Sequence, residues 1–158
     1  MKFKYEIMIG DLLDKRKLTI ATAESCTGGL ISHLITNVPG SSKYFERGLI
    51  VYSNDAKMEL LNVQKETIEK YGAVSSETAS EMAEGIKSSA RTDLGLAVTG
   101  IAGPSGGTPD KPVGLVYIAL AADQGINVQK FQFDGEREDV KIQTAETALA
   151  MLLDHLIK

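Results

Sequence analysis

The chain has 158 residues, 43% hydrophobic and 24% charged, which suits one globular domain burying roughly 70% of its unfolded surface and excludes a disordered chain or a disulfide scaffold. Seventeen Lys and Arg against 21 Asp and Glu leave a formal charge of -4, so the basic excess of a general nucleic-acid binder is missing. The lone Cys26 has no internal disulfide partner, the start from Met1 to Tyr5 reaches Asp11 before an apolar leader core develops, and the longest apolar run, Gly114 to Ala122, is far below the ~20 residues that cross a bilayer. A reduced, cytoplasmic setting without membrane or nucleic-acid partners is the expectation.

Ile7, Met8, Leu12 and Leu13 recur at helical spacing within residues 5–16, and Leu18 to Thr22 reads as a short buried strand. After Gly28 and Gly29, Leu30, Ile31, Leu34 and Ile35 resume a helical period until Pro39-Gly40-Ser41-Ser42 breaks it. Phe45 to Tyr52 reads as a second strand, and Ser53 or Asn54 suits the N-cap of a short helix through Leu61, with Lys57 near its first turn. A helix follows from Ser76 to about Ala90, capped by Ser75 or Ser76, with Glu77 at the positive dipole end and Ala79, Met82, Ala83 and Ile86 inward. Leu94 to Thr99 reads as a central strand and Gly100 to Pro112 as a loop. Val113 to Ala121 and Ile126 to Phe133 read as a hairpin turning at Asp123-Gln124-Gly125. Asp134 is then the expected cap of a last helix whose Val140, Ala145, Ala148, Leu149, Leu152, Leu153 and Leu156 make an apolar stripe. No repeat or linker divides this order, so residues 1–158 read as one domain. Early strand and helix alternation predicts a three-layer α/β/α sandwich on a mostly parallel mixed sheet, and the late hairpin predicts an antiparallel edge. The final stripe suits either the sheet or a second subunit, which leaves a homodimer open.

Chemistry concentrates at turns that follow strands. Ser25, in Ala23-Glu24-Ser25-Cys26-Thr27-Gly28-Gly29, stands where a strand passes into a helix; its hydroxyl suits attack on a carbonyl and neighbouring amides suit an oxyanion, although Ser25 and Thr27 equally suit plain helix capping. His33 and His155 lie in helices rather than polar turns, which disfavours a Ser-His-Asp arrangement. Lys57 is the other base on offer. Its pKa, ordinarily about 10.4, would need lowering by about three units, roughly 4 kcal/mol, and burial and a helix N-terminus both act in that direction. Cys26 is a rival nucleophile, though a small buried spacer is the preferred reading. The Gly-rich turn from Thr99 to Gly107 suits either an anion or a flexible loop, and matches neither the phosphate loop of nucleoside triphosphatases nor the dinucleotide fingerprint. Arg137 and Lys141, one helical turn apart, offer countercharge or a solvated face. Without a Cys/His cluster or His-Glu-x-x-His spacing, metal independence is expected.

Read together, Ala23 to Gly29, Phe45-Glu46-Arg47-Gly48, Tyr52 to Lys57, Gly72-Ala73-Val74-Ser75, Thr99 to Pro104 and Lys111-Pro112-Val113-Gly114 resemble the CinA C-terminal domain family over nearly the whole chain, in its nicotinamide-nucleotide amidohydrolase (PncC) type. The resemblance implies hydrolysis of nicotinamide mononucleotide to nicotinate mononucleotide and ammonia without a cofactor. It implies Ser25 as nucleophile, Lys57 as base and Tyr52 near the reacting groups. It also implies a mononucleotide pocket shared by the turn at Thr27, Gly28 and Gly29 and the turn carrying Thr99, Gly100, Gly103, Gly106 and Gly107. Arg137 falls in Gly135-Glu136-Arg137, similar to the family's Gly-Asp-Arg segment, but Lys141 stands where arginine is common and lacks arginine's bidentate fork. No part of this sequence resembles the molybdopterin-binding-like domain of larger members, so the pyrophosphatase activity associated with it is not expected. The other reading of the same pocket is a noncatalytic nucleotide or phosphate sensor.

Overall fold

The computed structural model describes residues 4–158. Met1 to Phe3, on which part of the leader reading falls, lie outside the described residues. Helix α1 (Tyr5–Arg16) ends where Lys17 takes a left-handed conformation, and strand β1 (Ile20–Glu24) follows. The strand starts two residues later than the apolar run because Thr19 is held outside it: its amide and hydroxyl both donate to Asp93 Oδ2, at 2.8 and 3.0 Å. That offset makes Glu24 the last strand residue and puts Ser25 directly on the carboxyl end of the strand. The next elements are α2 (Leu30–Thr36), β2 (Phe45–Ile50), α3 (Asn54–Leu61), α4 (Lys65–Tyr71) and α5 (Ser76–Ala90). Ser53 Oγ accepts from the Ala56 amide at 3.0 Å and Ser75 Oγ from the Thr78 amide at 3.1 Å, so serine side chains cap α3 and α5 as the sequence predicts. The chain closes with β3 (Leu94–Gly100), β4 (Leu115–Ala122), β5 (Gly125–Gln132) and α6 (Arg137–Ile157).

The five strands run in the order β2-β1-β3-β4-β5. Pairings β1–β2 and β1–β3 are parallel, whereas β3–β4 and β4–β5 are antiparallel. The sheet is therefore about evenly mixed, which corrects the mostly parallel expectation; the three-layer arrangement itself stands. The reason is the connection after β3. Helices carry the chain back across a sheet face before β2 and β3, but the loop through Pro112 returns directly into β4, and only an antiparallel strand can follow without a crossover. A two-residue turn at Asp123-Gln124 then sets β5 beside β4, from Leu115 opposite Gln132 to Ala122 opposite Gly125.

The two faces of the sheet are built from different side chains. One carries Ile20, Leu94, Leu96, Val98, Ile118 and Leu120 against α1, α2 and α6. The other carries Ala21, Ala23, Ala97, Ala119 and Ala121 against α5 and the end of α3. Period-two alternation produces both sets from the same strands. On the alanine face α5 comes so close that a Cβ on Gly95 would lie 2.4 Å from the Ala83 carbonyl oxygen. Two sequence expectations change here. Ile7 and Met8 are exposed and α1 turns Ile9 and Leu13 inward, and α6 begins at an N-cap formed by Glu136, not Asp134. Gly135, at φ 112, turns the chain so that Asp139 Oδ2 accepts from the Glu136 amide at 2.9 Å. Among the described residues no helix is long and apolar enough to cross a membrane.

Candidate active site

Three chain segments meet at the carboxyl ends of β1 and β3, where an α/β sheet ordinarily holds its ligands. Ser25 follows β1, and its amide donates to the Val98 carbonyl of β3 at 3.2 Å. Lys57, on the first turn of α3, is 1% exposed and is among the largest fully buried side chains. Its Nζ lies 3.0 Å from Ser25 Oγ, 2.9 Å from the Val51 carbonyl and 3.3 Å from the Tyr52 carbonyl. An ammonium donates to all three oxygens. A neutral amine donates its two hydrogens to the carbonyls and aims its lone pair at the Ser25 hydroxyl, which then donates to it. Burial holds the Lys57 pKa down to about 8 from an ordinary 10.5, so the neutral form is reachable near physiological pH.

Cys26 points into the core on the Ile/Leu face, 5% exposed. Burial, reinforced by the negative charge of Glu24, pushes its thiol up to about 12. A thiolate is the reactive form, so at neutral pH the spacer reading of Cys26 is the one its surroundings support.

Glu24 is the residue that sequence reasoning missed. It is fully buried, and its carboxylate accepts from Thr27 Oγ1 at 2.6 Å, the Ile31 amide at 2.9 Å, the Ser32 amide at 2.9 Å and Ser32 Oγ at 2.7 Å. These bonds satisfy first-turn amides of α2 and pin the turn that carries Ser25. The signal available in the sequence was a carboxylate just ahead of a Ser-x-Thr-Gly-Gly turn, with the helix-cap chemistry that this implies. The Ile31 and Ser32 amides are occupied by Glu24 and so do not serve an oxyanion. The Gly28 amide donates to the Ser25 carbonyl at 3.2 Å, and among the described residues the Thr27 and Gly29 amides have no acceptor.

Arg137 opens α6 beside this centre. It donates to the Gly103 carbonyl at 2.7 Å and to the Tyr52 hydroxyl at 2.9 Å, tying the Gly-rich turn to the segment that supports Lys57. Tyr52 itself is 61% exposed, so its ring stands at the mouth rather than in the core. A groove of about 1440 Å³ lies beside this centre between α1, α2 and α6; Thr27, Gly28, Gly29, Arg137 and Lys141 line it, whereas Ser25, Lys57 and Tyr52 do not. Gly28 and Gly29 have φ of 61° and 108°, a left-handed backbone at which a side chain is strained. Lys141 Nζ lies 3.6 Å from where a Cβ on Gly28 would sit, an ordinary contact, so the backbone conformation rather than space is what favours glycine there.

The second turn is arranged differently. Thr99 is buried and its hydroxyl donates to the Ala73 carbonyl at 2.8 Å. Gly100, Gly103 and Gly107 lie where a Cβ would come within 3 Å of Val116 or Val113 atoms. Their small size therefore lets this loop close onto the start of β4, and none of Thr99, Gly100, Gly103, Gly106 and Gly107 is on the groove wall. Gly103 reaches the centre only through its carbonyl bond to Arg137. Among the described residues no group of three or more His, Cys, Asp or Glu side chains is placed to hold a metal ion.

The family described as the CinA C-terminal domain matches residues 2–156. The chain is 56% identical over 144 residues to a CinA-like protein of Kosmotoga olearia, covering 91% of this chain and 35% of that protein. It is 52% identical over 147 residues to a CinA-like protein of Dictyoglomus thermophilum, covering 93% and 36%. The chain thus spans little more than a third of the length of the curated relatives it matches. Among solved structures, it is 34% identical to a competence or damage-inducible protein from Enterobacter asburiae, with 96% of each chain covered and a TM-score of 0.93. It is 41% identical to the competence/damage inducible protein CihA from Agrobacterium tumefaciens, covering 100% of this chain and 98% of that one, with a TM-score of 0.90.

Proposed function

The chain belongs to the CinA C-terminal domain family, and from that premise and the geometry of its buried pair we propose that it is an amidohydrolase converting nicotinamide mononucleotide and water to nicotinate mononucleotide and ammonia. The observation that carries the reading is the Lys57 amine, 3.0 Å from Ser25 Oγ, with two main-chain carbonyls positioned to accept its hydrogens.

Neutral Lys57 takes the Ser25 proton as Oγ attacks the carboxamide carbon. The tetrahedral oxyanion is held by the Thr27 and Gly29 amides, donors of a kind typically worth about 10² to 10³ in rate each. The Lys57 ammonium returns the proton to the departing nitrogen, ammonia leaves, and an acyl-enzyme ester remains on Ser25. Lys57 then takes a proton from water, the hydroxide adds to the ester carbonyl, and Ser25 recovers its proton as the carboxylate departs. Arg137 and Lys141, on the groove wall, hold the remote phosphate and so place the amide against Ser25.

Ammonia release from nicotinamide mononucleotide by the wild type, Ser25→Ala, Lys57→Gln and Cys26→Ser tests the reading. Turnover by the wild type and Cys26→Ser but by neither of the other two supports it. Turnover that survives Ser25→Ala and vanishes in Cys26→Ser reverses the nucleophile. A wild type that binds the nucleotide without releasing ammonia is a sensor, not an amidase.

A further inference from the structure

The support beneath Ser25 and the support beneath Lys57 converge on one residue. The Glu24 carboxylate holds four donors from Thr27, Ile31 and Ser32, on both sides of the turn that follows Ser25. The Glu24 carbonyl accepts from the Val51 amide at 2.8 Å, and the Val51 carbonyl, on the same residue, accepts from Lys57 Nζ at 2.9 Å. The Glu24 side chain thus sets the position of the nucleophile, and its main chain sets the anchor of the base. Ser32 extends the network sideways, with its hydroxyl 2.9 Å from that of Thr22.

We propose that Glu24 is a positioning residue that holds Ser25 Oγ and Lys57 Nζ in register through the Thr27–Ser32 clamp and the Val51 bridge. The role rests on the Ser25–Lys57 reading of the site but does not depend on which amide is the substrate. Four donors face the carboxylate and it accepts all of them, whereas an amide in its place turns an NH₂ toward at least one backbone N–H that then loses its acceptor. The turn relaxes around that lost bond, and displacement of reacting atoms by about 1 Å can cost about 10² in rate.

The test uses the full chain carrying Glu24→Gln, read in three ways. Urea unfolding reports folding. Steady-state turnover of nicotinamide mononucleotide separates kcat from KM. A fluorophosphonate reagent reports Ser25 reactivity without any substrate, since Oγ forms the P–O bond, fluoride leaves and the proton passes to Lys57. The expected result is a folded protein with kcat and labelling rate both lower by about 10²-fold and KM within about twofold of wild type. Labelling of the folded variant at the wild-type rate overturns the proposal, even if its unfolding midpoint falls, because that is the outcome of a merely structural role. If Glu24→Gln does not fold, Thr27→Val removes only the 2.6 Å bond; slower labelling then supports the proposal and unchanged labelling overturns it. A wild type that labels at Ser25 yet releases no ammonia sinks the amidase reading, and the labelling comparison still decides the role of Glu24.

Discussion

Replacing Lys57 with methionine should change how the stability of the fold responds to pH. The side chain is 1% exposed, and burial lowers its pKa from 10.5 to about 8. In the unfolded chain the same amine titrates near its ordinary value. Between the two values the unfolded state therefore binds a proton that the folded state does not, and wild-type stability rises with pH across that window. Below pH 8 both states carry the proton and the burial cost is felt in full. The difference of 2.5, at 1.36 kcal/mol each, amounts to about 3 kcal/mol, most of it recovered between pH 7 and pH 10. Methionine keeps a long unbranched chain in the same space and removes the titration. The unfolding free energy of wild type minus that of Lys57→Met should accordingly rise by about 2 to 3 kcal/mol from pH 7 to pH 10. Taking the difference between the two proteins removes the main, burial-driven effect of Cys26, whose thiol, pushed up to about 12, acts in the opposite sense above pH 9 in both; its smaller interaction with Lys57 stays in the difference. With a urea slope of about 1 to 3 kcal/mol/M, the relative midpoint moves by roughly 0.7 to 3 M. A difference that stays flat across that range would show that Lys57 titrates like an exposed lysine, and the neutral base would fall with it.

Nicotinamide riboside should be turned over much more slowly than the mononucleotide, because without phosphate the Arg137 and Lys141 contacts no longer place the amide; equal kcat/KM for the two in an ammonia assay contradicts this. Arg137→Ala should raise KM for the mononucleotide by about tenfold and leave the riboside nearly unchanged. An equal loss on both would reduce Arg137 to its tie between Tyr52 and Gly103. Gly85→Ala should destabilise the fold by about 1 to 2 kcal/mol despite a gain of about 1 kcal/mol in helix propensity. The new Cβ would lie 2.0 Å from the Leu61 carbonyl oxygen and force α5 off the end of α3. Thermal unfolding measures the outcome, and a raised Tm refutes it.

The helices that sequence periodicity and caps predict are mostly those observed, since a serine ahead of an amphipathic run is a local signal and α3 and α5 both answer to it. What local signals could not convey was direction. Nothing within Leu115 to Ala122 states which way that strand runs; the length and geometry of the preceding loop decide it, and so the sheet is more evenly mixed than alternation suggested. Register was also hidden, because the Thr19–Asp93 bonds that delay β1 span 74 positions. At the site, Ser25 and Lys57 were readable as residue types on adjacent turns, and the structure brings them together. Thr99 and the glycines from 100 to 107 were readable as an unusual turn but not as a packing device, because their reason is the proximity of Val113 and Val116, which no spacing rule expresses. In the sequence Glu24 is one carboxylate among many, and only its zero exposure and four donors set it apart.

The unlike faces of the sheet impose opposite rules on how this sequence can drift. Where alanines meet α5, there is almost nothing left to trim and no room to enlarge, so added methyl groups are what selection must remove. Across the strands, against α1, α2 and α6, the branched side chains are already bulky, and there shortening is what does the harm. Two neighbouring strand positions of equal burial can thus fail for contrary reasons, one held by an upper limit on side-chain size and the other by a lower one.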